Sequence, residues 1–407
     1  MQENKTIFRG FGVQERYLLQ NVMKKLILST LAFTGLCLNG YAQEDIAPEM
    51  QYEEAVASTD FAVDMFRHLA RTQQGNIVFS PAGLEAVLSI LQQGARGETA
   101  AELNTLPISQ VSLTAMNPQL ASALFVADSF KLKPDITADN VYNIPLVTDP
   151  TAAAAAINNW AYTYTMGFIP DIVSAQDFSP LTRMVAVNAI YLKEKWMHPF
   201  KKSSTEQNVI FTKADGSITT VAMMYEHNDF LYAEGEDWQA VALFYDTMGR
   251  LGEPGCFIGI LPKGNARDFA CTLTPYKYRT IIQALAMSFE QETVVRLPRF
   301  ELTTGTFSLA PALQACGIND IFTPAANFSG FSDAPLYLND IIQRCYVKMD
   351  EEGTEAAAVT AGVVGVWICA EETVRYREIT FDRPFIWVIG NLNVNSTPYF
   401  MGITEEP

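Results

Sequence analysis

Apolar residues follow two rhythms along this chain, helical in the first third and strand-like afterwards. Ala62, Met65, Phe66 and Leu69 recur at three- and four-residue spacing and predict one face of a helix. Ser80-Pro81 predicts the start of a second, because a serine side chain caps free backbone donors and proline is tolerated in the first turn. Leu84, Val87, Leu88 and Leu91 carry its apolar stripe until Gly94 ends it. The alanine run 152–156, continuing into Ile157-Asn158-Asn159-Trp160, predicts another helix. From residue 184 onward, short apolar runs bounded by turn residues predict strands over 184–192, 240–245, 256–261, 294–297 and 345–349. The runs 385–389 and 399–403 flank a polar turn and predict a closing hairpin. Helices first and many strands later predict an α+β domain rather than regular βαβ winding.

One stretch fits neither rhythm. Between the acidic residues Glu351, Glu352 and Glu355 and the pair Glu371 and Glu372 there is no charged side chain. Val359, Thr360, Val363, Val364, Val366 and Ile368 favour a strand, whereas Gly353, Gly362 and Gly365 favour a loop. A segment able to be a loop in one state and a buried strand in another is a switch. The plainer alternative is one core strand with a ragged edge.

Composition narrows the function classes. In 407 residues 49% are hydrophobic, enough for a large packed core. A net charge of −17 disfavours nucleic acid and heparin-like polyanions. Met23-Lys24-Lys25 opens a short apolar stretch, and Gly40-Tyr41-Ala42 has the small-x-small pattern of a signal-peptidase site. Residues 1–42 are therefore expected to be an N-terminal extension and signal peptide, with Met23 the true start. A linker at 43–57 and a single domain at 58–407 would follow. Export to an extracellular or periplasmic space is expected, in a bacterial style of leader; Cys37 offers the alternative of a lipid anchor at the cell surface. Cys256, Cys271, Cys316, Cys345 and Cys369 then remain, an odd number without metal-type spacing, so free thiols are expected.

Catalytic chemistry has little to stand on. Histidine occurs only as His68, His198 and His227, and the last lies in a polar run, 226–229, predicted as a solvated turn. No nucleophile elbow, zinc-binding helix or phosphate loop is present. No enzyme, no cofactor and no metal are expected.

Six ordered blocks then converge on a family. Asn76-Ile77-Val78-Phe79-Ser80-Pro81, Gly94-Ala95-Arg96-Gly97-Glu98-Thr99 and Asn188-Ala189-Ile190-Tyr191-Leu192-Lys193 with Trp196 and Pro199-Phe200 are three of them. Leu297-Pro298-Arg299-Phe300, Phe381-Asp382-Arg383-Pro384-Phe385 and Tyr399-Phe400-Met401-Gly402 complete the set. With Glu351-Glu352-Gly353-Thr354-Glu355-Ala356-Ala357-Ala358, the chain resembles the serpins from about Ser58 to Ile403.

The resemblance implies the serpin fold: three β-sheets, about eight or nine helices and an exposed reactive-centre loop at about 353–378. A protease attacks the loop, is acylated, and is trapped when the cleaved loop inserts into the large sheet. It implies a hinge at Glu352, Gly353, Thr354, Glu355, Ala356, Ala357 and Ala358, whose small uncharged alternate side chains suit insertion. Ser80, Asn188 and Gln343 would form a gate under the sheet, with Gly83 and Gln343 standing where the family usually has serine and histidine. Trp196 would mark the breach where the loop enters. Counting from Gly353 assigns the reactive bond to Trp367–Ile368, with cuts after Val364 or Val366 as alternates; counting back from Pro384 falls nearer Thr373. The implied partners are serine proteases of chymotrypsin, subtilisin or elastase type in 1:1 covalent complex, with papain-like cysteine proteases as further candidates. No Lys or Arg lies between Ala356 and Glu372 to suit trypsin-like enzymes. A monomer without nucleic acid or a heparin-type activator is expected. The competing reading is a non-inhibitory relative, a binding or chaperone-like surface protein that keeps the fold without the trap.

Overall fold

The computed structural model describes residues 48–108, 116, 119–134, 136, 140–247, 250–303, 307–354 and 376–407, with side chains from Ser58 onward. Seven α-helices lie among them: α1 (Pro48–Thr72), α2 (Pro81–Gly94), α3 (Gly97–Leu103), α4 (Pro150–Tyr164), α5 (Ala266–Thr272), α6 (Pro275–Met287) and α7 (Ala310–Ala315). Short 3₁₀ turns are seen as well, so the expected eight or nine helices were an approximate count. Residues from Tyr52 to Pro407 form one compact unit.

The caps explain where the helices begin. Ser80 holds an extended conformation and its Oγ accepts from the Gly83 N–H at 3.1 Å, with Pro81 following in the first turn. Asp149 and Thr274 serve α4 and α6 in the same way, each again followed by proline.

The first eight strands are β1 (Ile77–Phe79), β2 (Gln119–Ala127), β3 (Val141–Ile144), β4 (Met184–Tyr191), β5 (Glu194–Lys195), β6 (Glu206–Thr212), β7 (Ile218–Glu234) and β8 (Trp238–Phe244). Then come β9 (Cys256–Pro262), β10 (Glu290–Pro298), β11 (Phe300–Thr303), β12 (Phe307–Ser308), β13 (Leu338–Asp350), β14 (Gly353–Thr354), β15 (Arg377–Thr380), β16 (Phe385–Gly390) and β17 (Phe400–Thr404). One sheet orders β1-β17-β16-β9-β8-β7-β10-β15, with β6 also on β7. The other orders β3-β2-β4-β13-β14-β5, with β11 and β12 on the second edge of β13. The expected third sheet is not separate among the described residues. The 17-residue β7 pairs with β6 and β10 along most of its length and with β8 at its end, which joins two groups of strands into one ladder.

Burial accounts for the continuous apolar runs. All eight residues of β4 are buried, because both faces of the sheet are covered. The hairpin forms as predicted, with Phe385 opposite Thr404 and Ile389 opposite Phe400. His227 corrects its expected solvated turn: it lies within β7, opposite Val294 of β10.

Candidate functional site

The three predicted gate residues meet at the N-terminus of α2. The Gln343 side chain, fully buried, accepts from the Ser80 N–H at 2.8 Å and donates to the Ser80 carbonyl at 3.0 Å and to Asn188 Oδ1 at 2.9 Å. Asn188 donates onward to Ser122 Oγ at 2.7 Å and to the Ala121 carbonyl at 3.2 Å. Ser80 Oγ donates to the Tyr399 carbonyl at 2.6 Å. This chain of bonds ties α2, β2, β4, β13 and the hairpin together, and a primary amide with both donor and acceptor groups suits its centre. Gly83 belongs to the same packing: a Cβ there would lie 2.2 Å from Asn188 Oδ1 and 2.4 Å from Ile190 Cδ1. A larger residue would have to displace the gate amide.

Above the gate the sheet is parted. β4 and β13 pair directly and in parallel from Met184 and Leu338 up to Tyr191 and Tyr346. Beyond that level β14 stands between β13 and β5, antiparallel to both: Thr354 faces Met349 on one side and Glu194 on the other, and Gly353 faces Asp350 and Lys195. The first two residues after the β13 turn therefore already occupy a strand position. Gly353 has φ +153, and a Cβ there would meet the Glu194 carbonyl oxygen at 2.1 Å. Only glycine enters so narrow a place.

Thr354 points into the core, fully buried, with its Oγ1 2.7 Å from Tyr245 OH. Burial pushes the Tyr245 hydroxyl pKa up, so the group stays a neutral hydrogen-bond partner. Trp196 stacks flat on Tyr245, ring centroids 4.9 Å apart and planes within 5°. Its indole N–H donates to the Asp350 carbonyl at 2.9 Å, and its backbone N–H to the Glu352 carbonyl at 2.9 Å. The predicted breach tryptophan thus grips both sides of the turn that launches β14.

Charged groups anchor this turn, through partners that the sequence reading did not foresee. Glu351, 2% exposed, accepts from Thr205 Oγ1 at 2.7 Å and from the Arg299 guanidinium. Burial opposes its ionisation, but the bonds from Arg299 and Thr205 outweigh that and hold the carboxyl below the usual range. Glu352 pairs with Lys202 at 2.6 Å, and buried Glu194 pairs with Arg250 at 2.6 Å. Only the charge-free run beyond Glu355 was visible as unusual; its anchors lie 50 to 150 residues away in sequence.

The hinge residues Glu355, Ala356, Ala357 and Ala358, the reactive-bond residues Trp367 and Ile368, and the alternates Val364 and Val366 lie outside the described residues. The chain re-enters the other sheet at β15, parallel to β10, where Arg377 pairs with Glu234 at 3.4 Å. Cys256, Cys271, Cys316 and Cys345 are free thiols, and burial pushes Cys256 and Cys345 up and away from reactivity. Cys369 lies outside the described residues. No group of metal-ligating side chains is found among the described residues.

Comparison with known proteins agrees with this geometry. The family model described as Serpin (serine protease inhibitor) matches residues 56–407. An uncharacterized serpin-like protein of Methanosarcina mazei is 29% identical over 385 residues, covering 88% of each chain. Plasminogen activator inhibitor 1 of Bos taurus is also 29% identical, over 88% of this chain and 94% of its own length. Among solved structures, the thermophilic serpin tengpin in its native state superimposes with a TM-score of 0.73 at 23% identity, covering 91% of this chain and 98% of its own.

Proposed function

The chain belongs to the serpin family, and we propose that it is a suicide inhibitor of serine endopeptidases with chymotrypsin-, subtilisin- or elastase-like pockets. The observation that carries this reading is the register of β14. Thr354 is paired at once to Met349 and Glu194, which stand level with each other across the opening. A strand continuing downward would meet consistent partners on both edges, since β4 and β13 are already in step from Val185 and Asp340 upward.

Residue by residue, the segment fits that slot. Glu355 would stand between Lys193 and Lys348, and Ala357 between the large rings of Tyr191 and Tyr346. Thr360 would arrive between Asn188 and Gln343 at the gate. Alternate side chains point to opposite faces, so Thr354, Ala356, Ala358 and Thr360 would enter the core side with small groups. About ten new strand residues at roughly 1 kcal/mol of net hydrogen bonding each give on the order of 10 kcal/mol. That matches the whole stability of a typical domain, roughly 5–15 kcal/mol, and is enough to distort a bound protease.

The leader pattern at Met23–Ala42 supports action outside the cytoplasm. Incubation with chymotrypsin or elastase tests the inhibitory reading: a protease complex that survives boiling in detergent is expected. Cleavage of the loop with no complex and no rise in the thermal midpoint would favour a non-inhibitory serpin instead.

A further inference from the structure

Between the first and second turns of α2, just past the gate, lies a carboxyl group that the inhibitory mechanism does not use. Glu85 is only 9% exposed. Its Oε1 is met by Ser58 Oγ from α1 and by Thr397 Oγ1 from the β16–β17 turn at 2.9 Å. Those two hydroxyl oxygens are themselves 2.7 Å apart. Three oxygens from three elements thus form a closed triangle, each bonded to the other two.

Each edge of such a triangle needs one proton. The two hydroxyls supply two, and the third can come only from the carboxyl. With Glu85 ionised, one edge becomes a bare contact between oxygens inside the core. No cation relieves it: among the described residues no Lys, Arg or His bonds to Glu85. On α1, Asp60, two residues after Ser58, is already paired with Arg279 of α6. The β16–β17 turn brings Asn391, Ser396 and Thr397, all neutral, and α2 has no other ionisable side chain. Burial is the main cause that raises the Glu85 pKa to about 7.

The triangle is mechanically coupled to the gate. Thr397, Pro398 and Tyr399 are consecutive, and each is bonded to α2 or its cap: Thr397 to Glu85, the Pro398 carbonyl to the Ala82 N–H at 3.3 Å, and the Tyr399 carbonyl to Ser80 Oγ. Ser80 in turn holds Gln343.

We propose that protonated Glu85 is a latch that keeps the gate closed, and that its deprotonation loosens the junction of α1, α2 and the hairpin. A carboxyl whose native pKa lies above its unfolded value adds stability that is complete below the ordinary carboxylate range and is lost as pH rises through the native value. The resting, loop-exposed state is therefore longest-lived on the acidic side. The consequence for inhibition rests on the proposed function; the effect on native stability does not.

Thermal melting of the full chain from about pH 5 to about pH 9, for wild type, Glu85→Gln and Thr397→Val, tests the latch. The wild-type midpoint should fall as pH rises through about 7, and the half-life of any inhibitory activity should shorten by about tenfold or more over the same range. Glu85→Gln supplies the third proton at every pH and should be flat through that window. Thr397→Val breaks the triangle, removing both a donor to the carboxylate and the edge left without a proton, and should move the transition away from its wild-type pH. A Glu85→Gln profile that follows wild type overturns the latch, as does an undisplaced transition in Thr397→Val. If wild type traps no protease, the melting profiles still decide the latch independently of the inhibitory reading.

Discussion

Thr354 and Tyr245 share a hydrogen bond of 2.7 Å in a site from which both side chains exclude solvent. The pair closes the mouth of the opening between β5 and β13, with the Trp196 ring laid over Tyr245 as its roof. Thr354 is therefore both a hinge residue and the last residue of β14, the strand that the mechanism would extend. A buried hydroxyl needs a partner, and Tyr245 supplies one before the loop is cut.

Replacing Ala356 with arginine should convert the inhibitor into a substrate. Carried on from Thr354, the inserted guanidinium would stand between Leu192 and Val347, both buried in the core. A buried charge without a partner costs several kcal/mol, enough to slow insertion until deacylation wins. Gel analysis should show the loop cleaved and the covalent complex gone. An Ala356→Arg variant that traps protease as well as wild type would refute the insertion mechanism.

Gln343→Ala should weaken the gate. It strips partners from the Ser80 N–H, the Ser80 carbonyl and Asn188 Oδ1 at once, all in a buried place. Unsatisfied buried groups cost about 1–3 kcal/mol each when nothing relaxes, so a loss of roughly 2–4 kcal/mol is expected from denaturant melting. An unchanged midpoint would show that water or a neighbouring side chain takes over the amide's bonds.

How much of this was legible in the sequence depends on where the partner lies. Strands with continuous buried runs, such as β4 and β16, announce themselves because both faces are covered. β13 was foreseen only from residue 345, since Asn339 and Asp340 interrupt its start, where the ladder also slips register. β7 was missed because its exposed and buried positions do not alternate cleanly and Glu226, His227, Asn228 and Asp229 imitate a turn. The gate amide at Gln343 could be suspected from its place in the family pattern. Glu351, Glu194 and Glu85 gave no such warning, because their burial depends on Arg299, Arg250 and Thr397, which no local spacing brings near.

The register of β14 makes an electrostatic prediction. Lys193 is exposed beside the slot, and the Lys348 ammonium lies 4.0 Å from Asp350. Both would flank Glu355 once the loop enters. Glu355→Lys should lower the yield of covalent complex by placing three like charges side by side, and Lys193→Glu with Lys348→Glu should restore part of it. Partly exposed pairs contribute about 0.2–1 kcal/mol, so the effect should be a shift of a few-fold in the ratio of complex to cleaved product, reduced by salt. No recovery in the charge-reversed triple variant would argue against this register.

The same register bears on the scissile bond. Carried down from Thr354, the inserted strand would pass Val185 and Asp340 together at Val363 and reach the end of β4, at Met184, with Val364. Trp367 lies just beyond that end, so a protease acylated there would be carried the whole length of the sheet. A cut near Thr373, as the count from Pro384 suggests, would leave about nine residues slack, and slack lets the protease recover its active-site geometry. The hinge-side count is therefore preferred. Trp367 suits a deep apolar pocket of chymotrypsin or subtilisin type and is too large for that of elastase, which would instead cut after Val364 or Val366. Mass spectrometry of the C-terminal peptide released from the complex should find a fragment that begins at Ile368. A start at Trp367 or Gly365 would point to elastase-type targeting, and a start beyond Thr373 would break the link between insertion length and trapping.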